Sequence, residues 1–207
     1  TMKCTGSLLE RDFKLYAIDS VIKGMITYGI HHQSPKALDE AHLITHTVDD
    51  PSLQQQPRES IIEGLVRVGC IRLTSAITPI TPEALKFEIE PFDRALSLLM
   101  ESVNRSQLSL KISKFIDIIL EYAQAANRQE FLIPLTMFIL KIEDRLERNA
   151  MFYRISGNFR DVMEDLESTD PYEIVAAVLQ RLQSGNISPL VLDLIHRLLE
   201  QTPDSYK

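Results

Sequence analysis

The stretch Thr81-Pro82-Glu83-Ala84-Leu85-Lys86-Phe87-Glu88-Ile89-Glu90-Pro91 decides the fold class, because it supports two incompatible periods. From Leu85 to Glu90, apolar and charged residues alternate without error, the pattern of a half-buried strand. Thr81-Pro82 points the other way. A threonine oxygen at N-cap followed by proline at the first helical position is a strong helix start. If the alternation holds, Pro91 opens a separate helix to about Asn104, and a small sheet element sits inside a helical protein. Upstream, Ile62, Leu65, Val66, Gly69 and Leu73 fit one helical face within residues 58–77, while Glu59, Glu63 and Arg67 fit the opposite one. Val66, Val68 and Cys70 also alternate with Arg67 and Gly69. Residues 64–90 therefore stay open between helix and strand.

Outside this window the signals are helical. Seven of the ten prolines follow Ser, Thr or Asp: Pro35, Pro51, Pro79, Pro82, Pro171, Pro189 and Pro203. Such pairs start helices. Ser7-Leu8-Leu9-Glu10 and Asp170-Pro171-Tyr172-Glu173 add capping boxes. The reading places helices over about 7–30, 35–46 and 58–77, with a polar loop at 49–56. In the first, Leu8, Leu9, Phe13, Tyr16, Ile22, Met25 and Ile26 supply a buried stripe. Leu108, Ile112, Phe115, Ile116, Ile119, Leu120 and Ala123 form a second stripe at steps of three and four. Phe131, Leu132, Leu135, Phe138, Ile139, Ile142 and Leu146 form a third, in which Pro134 requires a first-turn position. The charged end, Lys141 to Arg148, reads as a solvated face. Helices over 150–167, 171–183 and 189–201 complete the chain, with Gly185-Asn186 as the last break.

The predicted fold is mainly α, an irregular multi-helix bundle or helical array with room for a small β element around residues 64–90. Its 207 residues are read as one helical domain, 1–207, with a looser N-terminal half (1–104) and a tighter C-terminal half (105–207). No fixed 34-residue or 40-residue repeat supports a regular solenoid.

Composition limits the function classes. A net charge of −7 argues against nonspecific capture of nucleic acid or an anionic membrane. Cys4 and Cys70 cannot build a disulfide framework, and neither belongs to a Cys-x-x-Cys pair. A reducing, cytoplasmic setting is expected. No apolar run reaches signal or membrane-spanning length. Seven glycines form no phosphate-cradling loop, and no Gly-x-Ser-x-Gly elbow is present. No cofactor is expected.

Two constellations carry the candidate sites. His42 and His46 lie four residues apart with Asp39 three before, so a helix places all three on one side, where His31 or His32 could complete a tetrahedral metal set. The pair lacks the glutamate of His-Glu-x-x-His, and a polar helix face beside a glutamine-rich loop explains the same residues with no metal, which is the favoured reading. Asp193 and His196 repeat the spacing once near the C-terminus, where a histidine also suits free helix carbonyls. The second constellation is apolar and acidic. Met151, Phe152, Tyr153, Met163 and Tyr172 are the residue types of a helix-accepting groove, and Asp161, Glu164 and Asp165 begin a dense acidic run to Glu173. Such a groove takes an amphipathic helix with basic flanks, steered by charge.

The expected function is a non-enzymatic protein–protein interaction module. That means an adaptor or chaperone-like subunit of a larger assembly, with bacterial secretion machines as one setting where this acidic, compact helical profile is common. The alternatives are a metal-dependent enzyme using His42 and His46, and a helical regulator that senses a small ligand.

Overall fold

The structure, a computed structural model, describes residues 2–48, 50–77 and 80–158. These residues are all-helical, without a strand. In chain order the helices are α1 (Met2–His31), α2 (Pro35–Thr45), α3 (Pro51–Ser75), α4 (Pro82–Ser102), α5 (Arg105–Ala126), α6 (Leu132–Ile139) and α7 (Arg145–Asn158), with a 3₁₀ turn at Gln129–Phe131 before α6. The small β element is thereby ruled out, since residues 64–75 belong to α3 and residues 82–90 to α4.

Capping and packing decide the contested stretch. Thr81 Oγ1 accepts the backbone N–H of Ala84 at 3.2 Å, and the Thr81 carbonyl accepts that of Leu85 at 2.9 Å. In the resulting helix Leu85, Ile89 and Phe92 fall on one buried face, whereas Phe87 is turned out. A strand would have grouped Phe87 with Leu85 and Ile89. Pro91 does not open a new helix but sits inside α4, as Pro57 sits inside α3. Each deletes one donor from the helical ladder, a cost that tertiary packing offsets here.

The polar loop expected at 49–56 is helix from Pro51 onward. Asp50-Pro51 starts α3 before the glutamine run, and Gln54 is drawn into structure by donating to the Val48 carbonyl at 2.6 Å. The single stripe expected from Phe131 to Leu146 is broken instead. Asp144 Oδ1 accepts the N–H of Glu147 at 2.8 Å, a capping contact that restarts the chain as α7 at Arg145. The helix assigned to 150–167 therefore begins five residues earlier. Leu146 is exposed, and Arg148, predicted on a solvated face, is buried with its guanidinium donating to the Ile142 carbonyl at 3.3 Å.

The chain sorts into two compact units that cut across the helices. Among the described residues the first comprises the chain up to Arg72 together with Glu90–Ser102, and the second Leu73–Ile89 and residues 103–158.

In the first unit, α1 reverses into α2 through a tight Schellman turn. Gln33 takes the left-handed conformation at φ 51°, Ser34 N–H reaches the Gly29 carbonyl at 2.8 Å, and Gln33 N–H reaches that of Ile30 at 3.2 Å. Ser34 then caps α2 by accepting from Ala37 N–H. Arg72 on α3 secures the turn by donating to the Gln33 carbonyl at 3.0 Å. Glycine is needed at two contacts. A Cβ on Gly29 would stand 2.9 Å from Leu38 Cγ, and one on Gly69 would stand 2.5 Å from the Phe92 ring, which lies against the α3 backbone.

The second unit is built on α5 and α6. Every residue of the predicted α5 stripe is buried, and so are all eight residues of α6. Pro134 occupies the first turn of α6, where its missing donor is tolerated. Phe115 and Phe138 meet edge to face with ring centroids 6.1 Å apart. Arg128 anchors the α5–α6 connection by donating to the Ala76 and Thr74 carbonyls at 2.8 and 3.2 Å.

Candidate functional site

The first candidate surface is the outer side of α1. Over about two and a half turns, the nine residues from Phe13 to Ile22 bring the two side chains to opposite sides of the helix. Ile22 is buried; Phe13 and Tyr16 are 75% and 71% exposed. On the same outward side as Phe13 and Tyr16 lie Val21 and Tyr28, both more than half exposed. Ala17, Ser20 and Gly24 are exposed between them, and a Cβ added to Gly24 would meet nothing within 4 Å. The result is an apolar, aromatic-rimmed strip with a low centre. Its charged edge carries Asp19 and Lys23, paired at 2.7 Å. At the far end Tyr28 stacks with His32 at 4.2 Å between centroids, and His31 meets His32 edge-on at 5.0 Å.

Sequence reasoning assigned Phe13 and Tyr16 to one buried stripe with Ile22. The helical angle between positions 13 and 22 was sufficient to separate them. Met25 and Ile26 of that stripe are half-buried, while the side chains of Leu8 and Leu9 lie outside the described residues.

The second candidate is the histidine pair. His42 and His46 do share one side of α2, with their Nε2 atoms 3.1 Å apart and rings nearly perpendicular at 79°. Asp39 does not join them. It forms an ion pair with Arg94, which also binds Glu90 at 2.7 Å. The group beside the pair is cationic: Arg58 Nη2 lies 3.3 Å from His46 Nδ1 and donates to Gln54 Oε1 at 2.6 Å. Arginine can only donate, so His46 Nδ1 is the acceptor. His46 then carries its proton on Nε2 and donates to His42 Nε2, and His42 carries its own on Nδ1. That Nδ1 is buried with no acceptor among the described residues. Burial, then the charges of His46 and Arg58, lower the His42 pKa against a smaller opposing pull from Glu101. Among the described residues no three His, Cys, Asp or Glu side chains gather as a metal-holding group.

The predicted C-terminal groove is only partly in view. Met151 is half-buried on α7, and Phe152 and Tyr153 follow it on the same helix. Arg154 ties α7 to α5 through an ion pair with Asp117. Asp161, Met163, Glu164, Asp165, Tyr172, Asp193 and His196 lie outside the described residues.

Cys70 is fully buried on α3, and burial pushes its thiol far above the ordinary range, which disfavours the thiolate a nucleophile needs. No helix among the described residues is long and apolar enough to cross a membrane. No protein-family model, curated protein or solved structure matches the chain.

Proposed function

We propose that this chain is a non-enzymatic interaction subunit of a larger protein assembly, adaptor-like or chaperone-like, that engages an apolar helix of another polypeptide through the outer side of α1. The observation that carries this reading is the strip of Phe13, Tyr16, Val21 and Tyr28, each exposed by half or more on one side of a single helix. Isolated exposed apolar residues are common, but a contiguous set including three aromatics is the composition of interface cores. Small residues at its centre allow a second backbone to approach closely, and the rings at its ends supply the anchoring area.

The expected C-terminal groove belongs to the same reading as a second contact. There the acidic run from Asp161 would speed approach of a basic-flanked segment, and reversing Asp161, Glu164 and Asp165 would slow association and weaken its salt dependence. The metal-enzyme alternative draws less support, because Asp39 is engaged by Arg94 and a guanidinium borders the histidines. The two cysteines suit a reducing, cytoplasmic setting.

A photo-crosslinking amino acid placed at Tyr16, and in a parallel chain at exposed Lys36 on α2, tests the proposal in the cell that makes the protein. The expected result is a discrete polypeptide adduct from position 16, none from position 36, and loss of the adduct when Val21 and Tyr28 become glutamate. Equal labelling from both positions, or none from position 16, would sink it.

A further inference from the structure

We infer that the occupant of the α1 strip is a second copy of this chain, packed antiparallel across it. The inference rests on the reading of α1 as an interaction surface and names its partner. Three features of the strip point to self-pairing.

The first is its symmetry of shape. Phe13 and Tyr28 stand at the two ends, about 22 Å apart along the axis. Ala17, Ser20 and Gly24 lie between them, Gly24 with open space above its Cα. An antiparallel copy centred near Ser20 and Val21 sets each Phe13 beside the partner's Tyr28 and each Ala17 beside the partner's Gly24. Aromatic rings meet at both ends, Ala17 meets Gly24 on either side of the centre, and Ser20 meets the partner's Val21 where the backbones cross. An isologous two-fold contact needs this arrangement, because one surface must be its own complement.

The second is charge. A two-fold contact brings the same edge of both helices together, and that edge carries Asp19 and Lys23. In the antiparallel register Lys23 lies within one residue of the partner's Asp19, and the reverse holds at the symmetry-related position. The intrahelical pair at 2.7 Å thus becomes half of an alternating four-charge cluster. In a parallel two-fold pair the two copies of this edge would lie on opposite sides of the contact, and the four charges would not meet.

The third is area. With exposures of 75%, 71%, 51% and 56% at Phe13, Tyr16, Val21 and Tyr28, and about 150–250 Å² available per aromatic side chain, each copy offers roughly 500 Å² of apolar surface. Two copies bury on the order of 1,000 Å², the lower bound of a specific interface. The expected dimer is therefore reversible and concentration-dependent.

Sedimentation of the intact, purified chain over roughly 1–100 μM should show a monomer–dimer equilibrium. Val21→Glu with Tyr28→Glu should weaken dimerisation at least tenfold while leaving the circular dichroism and melting temperature of the monomer unchanged, since both side chains are exposed. Lys23→Glu alone should weaken it several-fold, and Asp19→Lys with Lys23→Glu should restore it. In a Cys4→Ser background, Ser20→Cys should give a disulfide-linked dimer on mild oxidation, and Lys36→Cys should not. A chain that stays monomeric throughout, or a dimer untouched by the Val21 and Tyr28 changes, overturns the inference. If the chain is monomeric and the crosslinker at position 16 traps a different polypeptide, self-pairing fails while the interaction reading of α1 stands. If position 16 traps nothing and the chain is monomeric, both fail.

Discussion

Helices α1 and α6 put aromatic and aliphatic side chains to opposite uses. All eight residues of α6, Leu132–Ile139, are buried, including its proline and Thr136. The thirty-residue α1 buries Ile22 on one side and leaves Phe13, Tyr16, Val21 and Tyr28 in solvent on the other. The same residue types thus mark a core in one place and an open surface in the other. What differs is the number of apolar sides relative to the neighbours available. In the second unit, α6 is covered all round. In the first, α2 lies along one side of α1, fixed by the Schellman turn at Gln33 and by the close approach of Leu38 to Gly29.

The largest test of this contrast is a pair of truncations. Phe138→Ala removes a fully buried ring that packs on Phe115 and should cost about 3–5 kcal/mol of unfolding free energy. Phe13→Ala, at a ring 75% exposed, should change the stability of the monomeric chain by no more than about 0.5 kcal/mol. Denaturant titration of both variants below the dimerisation range checks the pair. Comparable losses would mean that α1 is covered after all.

Glycines give the next largest contrast. In Gly69→Ala the new methyl would stand 2.5 Å from the Phe92 ring, so either the ring or the helix spacing must shift, at about 1–3 kcal/mol. Gly24→Ala meets open space and should instead stabilise the monomer by about 0.5–1 kcal/mol through helix propensity. Opposite signs in urea unfolding are the expected outcome. A loss at Gly24 would show that something rests on that side of α1 within the monomer.

Much of the helical fold was legible because proline and side-chain oxygens act locally. Ser34-Pro35, Asp50-Pro51 and Thr81-Pro82 all start helices, and the α5 stripe is buried throughout. Local signals failed where they competed with one another. The alternation from Leu85 to Glu90 gave way because Leu85, Ile89 and Phe92 are buried at helical spacing, and burial is set by tertiary packing that a local pattern does not contain. The glutamine run at residues 54–56 looked like loop because polar composition was weighted above the Asp50-Pro51 cap. The break after Ile139 was hidden because Asp144 reads equally well as a helical charge and as an N-cap. The α1 strip was within reach of sequence arithmetic, whereas the engagement of Asp39 by Arg94, fifty-five positions away, was not.

The smallest expected effect concerns acid, and it probes the α2 edge of the first unit. Arg58 fixes both histidine tautomers, and the His42 ring is flanked by His46 on its own helix, by Arg58 and Gln54 on α3, and by the charge of Glu101 on α4. Taking up a proton places an N–H on His42 Nε2, where it confronts the N–H of His46 Nε2 and adds a second cation beside Arg58. The folded state therefore resists protonation, and the His42 pKa lies below its ordinary 6.5. As pH falls through that value the unfolded chain binds the proton first, so the stability from neutral His42 is complete above about pH 6.5 and declines below it. The decline levels off once pH drops beneath the folded-state pKa. Partial exposure of the ring keeps the effect small. In His42→Asn, which cannot titrate, the fall in melting temperature between about pH 8 and pH 5 should be shallower than in the parent chain. Parallel curves for the two proteins would mean that the histidine contact does not couple α2 to α3.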